Sequence, residues 1–235
     1  MTTSNLSFTV RIARDGAELR EACVLRAQAY GRHLPGLAQA LAEPDTIDRS
    51  RATVVMVCRD KASGALVGTA RLQRNAGQPL PIEASLELPA TLAAQPRAEI
   101  TRLAIVAGAD PLVRPLLVKA CYLAAVASQT RWLVIGARSP GLVRIYRGLG
   151  FNDLLGAGRQ VPLAHAGSLP HSVLAFDVVT AERRWREDRH PLYGLMVETW
   201  HPDLQLLAES EPEPEQEQEP ELTAESAWPR LRQAA

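Results

Sequence analysis

Glu99 stands inside the apolar run of residues 98–106 (AEITRLAIV), a pattern that reads as a buried strand. A carboxylate there is costly unless it has a partner or a proton to move, so Glu99 is the first candidate for a general base. Three residues on is Arg102, and strict alternation sets the two on opposite faces. They can serve one site only if the strand bulges; otherwise Arg102 is expected to pair with Asp45 or Asp48 and fix the N-terminal lobe. Arg26 falls among Leu19, Cys23, Ala27 and Tyr30 on the inner face of a helix, where a guanidinium needs a carboxylate. Asp45 and Asp48 in a DxxD spacing, with Arg71 in the segment Gly68-Thr69-Ala70-Arg71-Leu72, supply the remaining charges. This set reads either as a buried ion-pair network that orders the N-terminal loop or as direct substrate contacts.

Other chemistries are disfavoured. Cys23, Cys58 and Cys121 lie in apolar settings, are odd in number and lack metal or redox spacing, which points to core thiols in a reducing compartment. His190 and His201 each precede proline with no third ligand nearby, so no metal site is expected. Trp185, Tyr193 and Trp200 at helical spacing read as core. Met1 to Ser7 is polar and the apolar runs fall short of the ~20 residues of a membrane span, so a cytoplasmic protein without a span is expected. The net charge of +0 conceals a split: 8 of the 26 acidic residues lie between 209 and 225, leaving residues 1–208 at about +6. Of the 26 basic residues 24 are arginine, suited to bidentate recognition of carboxylate or phosphate. The surplus is too modest, and too poor in basic and aromatic motifs, for nucleic-acid binding.

Two domains of behaviour follow: a folded domain over 1–207 and an acidic low-complexity tail over 208–235. The tail segment ESEPEPEQEQEPEL has too little apolar content to offset the entropy of ordering and is expected to be disordered, a solubilising appendage. Within the domain a short strand over 8–13 leads to a helix capped by Asp15 and running to about Tyr30. A loop and short helix fill 34–50, and a hairpin spans 54–73 around Ser63-Gly64. A proline-rich flap covers 78–96. Strand 98–106, helix 110–128, strand 131–137, helix 139–149, strand 172–179 and a broken helix over 180–199 complete an α+β layer fold with a mostly antiparallel sheet.

The segments 99–128 and Ile145-Tyr146-Arg147-Gly148-Leu149-Gly150-Phe151 resemble the GNAT acyltransferase fold, the latter its LYxxxGF ending. Arg26 and Tyr30 (RxxxY), Asp45 and Asp48 (DxxD), the strand 68–72 and Glu99-Ile100-Thr101-Arg102 resemble, in order and separation, the acyl-homoserine lactone autoinducer synthases. They equally resemble the N-acyl amino acid synthases of the FeeM type, to which residues 181–203 are closer. The resemblance implies a GNAT-like mixed sheet flanked by helices, an acyl carrier protein thioester as donor and an amino acid or other small amine as acceptor. It implies no bound cofactor, only an acyl-phosphopantetheine co-substrate, with acyl-CoA as the alternative. At the place of the GNAT phosphate cradle, R/Q-x-x-G-x-G/A, stands Arg114-Pro115-Leu116-Leu117-Val118-Lys119; the small positions are filled and Pro115 lacks an N–H, which argues against acetyl-CoA. Gly36 stands near where lactone synthases carry Trp, which argues against homoserine lactone.

On that resemblance the amine is deprotonated by Glu99, directly or through water, and the oxyanion is held by backbone N–H groups of Leu103, Ala104 and Ile105 if the strand bulges. Tyr146 would protonate the leaving sulfur, and Arg138, Arg144 and Arg147 would dock the acidic carrier protein. The rival readings are a lactone synthase, an acetyl-CoA-dependent acetyltransferase and an inactive acyl- or carrier-binding module, whose space beside Glu99 would be closed.

Overall fold

The computed structural model describes residues 2–32 and 34–206; the acidic tail and the boundary expected at 207 lie outside the described residues. The elements in order are β1 (Thr2–Thr3), β2 (Phe8–Ile12), α1 (Gly16–Gly31), α2 (Pro35–Ala40), β3 (Thr53–Asp60) and β4 (Leu66–Arg74). A flap with a 3-10 turn (Pro81–Ala84) and α3 (Ala90–Ala93) leads to β5 (Arg97–Ile105), α4 (Val113–Ala127), β6 (Trp132–Ala137), α5 (Pro140–Gly148) and β7 (Asn152–Asp153). Then come β8 (Val161–Leu163), a second 3-10 turn (Ala164–Ala166), β9 (Leu169–Asp177), α6 (Val178–Glu187), a π-helical turn (Gly194–Glu198), β10 (Thr199–Trp200) and β11 (Leu204–Gln205).

The main sheet runs β11-β2-β3-β4-β5-β6-β9-β7, with β8 also on β9; within it only β11/β2 and β5/β6 are parallel. The expected α+β fold with a mostly antiparallel sheet is therefore present. Alternation along β3 assigns the two faces: Met56 and Cys58 enter the main core with Val113, Leu116 and Leu117 of α4, while Val55 and Val57 meet Ala22 of α1. Helices thus cover both faces. Gly68 allows α4 to sit close, since a Cβ there would be 2.8 Å from Val113 Cγ1 and 3.1 Å from Leu117 Cδ1.

Helix starts follow their capping residues. Asp15 accepts from the N–H groups of Ala17 and Glu18, Ser139 from Leu142, and Asp177 from Val179 and Thr180. Tyr122, Phe151, Phe176 and Trp185 form an aromatic cluster under α4, α5 and α6. Trp185 is core as expected; Trp200 is not, being 54% exposed on the short strand β10. The helix expected over 180–199 ends at Glu187 and resumes only as the π-helical turn, and the segment beyond it returns to the sheet edge as β11.

The flap is a lid on one sheet face. Leu80, Ile82, Leu88 and Leu92 pack on Val134, Leu163, Val173 and Ala175, and a two-pronged Glu83–Arg97 pair at 2.8 Å per bond ties it to β5.

Candidate active site

The site lies where β5 and β6 part. Their parallel pairing extends from Arg97–Trp132 to Ile100–Ile135 and stops, and beyond it β5 bulges against β4. There β4 advances two residues, Thr69 to Arg71, while β5 advances three between their partners, Ala104 and Thr101. Arg102 takes the left-handed conformation, φ 54°, which a non-glycine residue adopts at a cost of about 1 kcal/mol or more. The extra residue cancels the alternation that would have divided them, so Glu99 and Arg102 line the same cavity.

That cavity measures about 310 Å³. Its polar groups include Glu99, Arg102, Tyr30, Tyr146, Arg114 and Arg138, and Leu34, Leu37, Ile135, Leu142 and Leu163 give it apolar walls. A cavity therefore adjoins Glu99, although the side chain itself has almost no exposure. Leu103, Ala104 and Ile105 follow the bulge along its wall, and the Tyr30 hydroxyl donates to the Leu103 carbonyl at 3.3 Å. Glu99 is fully buried: Oε2 accepts from the Ile82 N–H of the flap at 2.9 Å, and Oε1 stands 3.0 Å from Nε2 of His165. The carboxylate faces an imidazole, not a guanidinium.

The charged network below the cavity is arranged differently from the expectation for Arg102. Arg71, with no exposure, takes Asp45 at 2.9 Å and Asp48 at 3.4 Å, and Arg26 takes Asp48 at 2.8 Å. Among the described residues Arg102 pairs with neither aspartate; its one hydrogen bond donates to the His165 carbonyl at 3.3 Å. The reason is register: Arg71 lies across from Thr101, whose hydroxyl takes its Nε at 2.9 Å, so its fork reaches the aspartates before Arg102 can. Burial pushes the Asp45 carboxyl up, but Arg71 and the Asp48 N–H outweigh it and hold the group below its ordinary value. Burial lowers the pKa of Arg102, and Arg71 nearby adds to the shift.

Tyr146, on α5, is buried at the cavity wall; burial is the main cause that raises its phenol to about 12, with Arg114 acting in the opposite direction. Arg138 reaches the cavity, whereas Arg144 and Arg147 stay on the exposed side of α5, Arg147 paired with Asp153. Lys119, at the end of the altered cradle, turns away and donates to the carbonyls of Leu195 and Thr199 at 2.7 Å each. Three of the cavity's ionisable residues were not among the expected site residues: His165, His171 and Arg114. The histidines lie in a short turn and on a strand without any metal-like or catalytic spacing, so no local signal marked them. Among the described residues no group of three His, Cys, Asp or Glu side chains could hold a metal ion, and no helix is long and apolar enough to cross a membrane.

A mixed sheet that splits between two parallel strands, bulged on one side and flanked by helices on both faces, is the fold of the GNAT acyltransferases. Among solved structures it is similar to FeeM, an N-acyl amino acid synthase from uncultured soil microbes: TM-score 0.59, 18% identity, 80% of this chain and 98% of that one. It is also similar to BjaI, a CoA-dependent acyl-homoserine lactone synthase (TM-score 0.53, 15% identity, 83% and 93% covered). An acyl-CoA N-acyltransferase from Pseudomonas aeruginosa matches at TM-score 0.50 and 16% identity over 72% of this chain and 97% of that one. No protein-family model matches the sequence, and no curated protein matches it. At these identities the shared property is the fold.

Proposed function

We propose that the chain is an N-acyltransferase that moves a fatty acyl group from the phosphopantetheine thioester of an acyl carrier protein to the amine of an amino acid in the cytoplasm. The observation that carries this reading is Glu99: a buried carboxylate with no guanidinium partner among the described residues, in the wall of a cavity that opens where β5 and β6 separate. A neutral amine attacks the thioester carbon, and Glu99 takes its proton directly or through one water. Backbone N–H groups along Leu103, Ala104 and Ile105 stabilise the oxyanion. The C–N bond forms, the C–S bond breaks, and the thiolate takes a proton from Tyr146, whose phenol, raised to about 12, stays protonated at neutral pH.

Arg102 supports an acceptor that carries a carboxylate. It is a guanidinium in the cavity wall with no carboxylate partner among the described residues, beside Glu99 on the same strand. The altered cradle supports a donor with a single phosphate: Pro115 offers no N–H and Lys119 is spent on the carbonyls of Leu195 and Thr199. A CoA thioester is the alternative donor, and homoserine lactone the alternative product.

The test is to incubate the purified chain with acyl carrier protein charged with fatty chains of graded length, or with the matching acyl-CoA, and each amino acid, and to look for N-acyl products by mass spectrometry. Product formation that is lost in Glu99→Gln is the expected result. Absence of acyl transfer from either class of donor would overturn the reading.

A further inference from the structure

Two separate segments reach the Glu99 carboxylate from outside the sheet. The flap supplies the Ile82 N–H to Oε2 at 2.9 Å, and the 3-10 turn between β8 and β9 brings His165 Nε2 to 3.0 Å from Oε1. The two segments are themselves joined, since the Ala164 N–H donates to Ser85 Oγ at 2.8 Å. The His165 carbonyl also accepts from Arg102 at 3.3 Å. One residue therefore touches both charged groups of β5 that face the cavity. Its Nδ1 is buried and has no hydrogen-bond partner among the described residues, so the polar approach of its ring is made through Nε2. The 3.0 Å approach is not a formed hydrogen bond, and Oε1 has no hydrogen-bond partner among the described residues. Catalytic hydrogen bonds commonly tighten only once substrate is bound.

We propose that His165 is the positioning residue of the acyl transfer, donating Nε2–H to the Glu99 carboxylate and accepting an Arg102 N–H at its carbonyl. This rests on the function proposed above and assigns a task to a side chain that reading does not use. With Ile82 on one oxygen and His165 beside the other, the carboxylate is held in one rotamer at the cavity wall. The other ionisable groups around the pair are His171 on β9, Arg138 after β6, Arg102 on β5, Tyr30 on α1, and Glu83 with Arg97 beneath the flap. The aspartates nearest the cavity are closed against Arg26 and Arg71, which leaves His165 as the side chain in direct contact with Glu99.

The experiment compares wild type, Glu99→Gln, His165→Ala and His165→Gln in the full chain, recording kcat, the KM for each substrate and the pH profile of kcat/KM. His165→Gln retains an N–H donor at the place of Nε2 but cannot titrate. His165→Ala is expected to lower kcat by about tenfold or more and to move the acidic limb of the profile to higher pH, because the anionic base has lost a donor. His165→Gln is expected to restore most of the rate and the original limb, while the KM for the acyl donor stays within about twofold in both. An alanine variant with wild-type kcat and pH profile overturns the inference, and so does a folded glutamine variant as impaired as the alanine one. If wild type itself transfers no acyl group, or Glu99→Gln is fully active, it is the proposed function that fails.

Discussion

Arg26 and Arg71 share one carboxylate oxygen: Oδ1 of Asp48 lies 2.8 Å from the first guanidinium and 3.4 Å from the second, with all three side chains almost completely buried. Asp45 closes the set from the exposed side, and each aspartate accepts the other's backbone N–H. The network joins α1, the DxxD turn and β4 immediately beneath the cavity wall. Its geometry favours the structural role, in which it orders the N-terminal segments that carry Tyr30 and Leu34.

Asp48→Asn leaves two buried guanidinium groups facing a neutral amide. Breaking a buried pair from one side costs about 3–5 kcal/mol, so the variant should unfold at markedly lower urea with an unchanged slope. The contribution of Asp45 is pH-dependent. Its folded-state value is depressed, so its stabilisation is present above the ordinary carboxylate range and is lost as pH falls through the folded value. Asp45→Asn should therefore unfold with a shallower dependence on pH below about 4 than wild type, as followed by circular dichroism.

Arg102 makes a sharper functional prediction, because its side chain enters no ion pair among the described residues. If it grips the acceptor's carboxylate, Arg102→Ala removes a charge-assisted hydrogen bond of about 1.5–3 kcal/mol, equivalent to roughly a tenfold to hundredfold rise in acceptor KM. Steady-state kinetics with the best amino acid checks this, and decarboxylated analogues should lose their disadvantage in the variant.

How far the sequence revealed this site depends on the kind of signal each residue carries. Strict alternation sets Glu99 and Arg102 on opposite faces, so the sequence allows either a bulge that brings both into one cavity or a separate task for Arg102, and the register decides for the bulge. The salt-bridge partners were less legible: Arg26 clearly required an acid, but whether Arg71 or Arg102 reached Asp45 depends on strand register, which composition does not encode. His165 carried no signal at all. It meets Glu99 from a turn 66 residues later in the chain, in a segment without hydrophobic period, and only the packing of flap and turn brings the two together. The short strands β1, β10 and β11 were missed for a related reason, since two residues cannot display a period.

The outer arginines of α5 bear on the donor. Arg144 and Arg147 stand exposed on the helix that also carries Tyr146 into the cavity wall, so a protein docked on them would place its prosthetic arm near the opening. Arg147 keeps a local partner in Asp153, which leaves Arg144 the freer of the two for an acidic surface. Reversing both to Glu should raise the KM for acylated carrier protein by tenfold or more at low salt and leave the KM for acyl-CoA nearly unchanged. Equal effects on the two donors would remove the docking role.

Lys119 makes the last prediction, far from the chemistry. Its ammonium is buried and donates to the carbonyls of Leu195 and Thr199, fastening the π-helical turn and β10 to α4. Burial lowers its pKa to about 8. Between about 8 and the ordinary lysine value the unfolded chain holds a proton that the folded chain has released, so stability gains with rising pH across that window. Lys119→Met abolishes this gain and leaves two carbonyls unpaired, a loss of about 1–3 kcal/mol at neutral pH. Urea denaturation at pH 7.5 and 9.5 should then show the gap between wild type and variant widening at the higher pH; a constant gap would mean that the ammonium keeps its charge across the window and that the two carbonyls outweigh its desolvation.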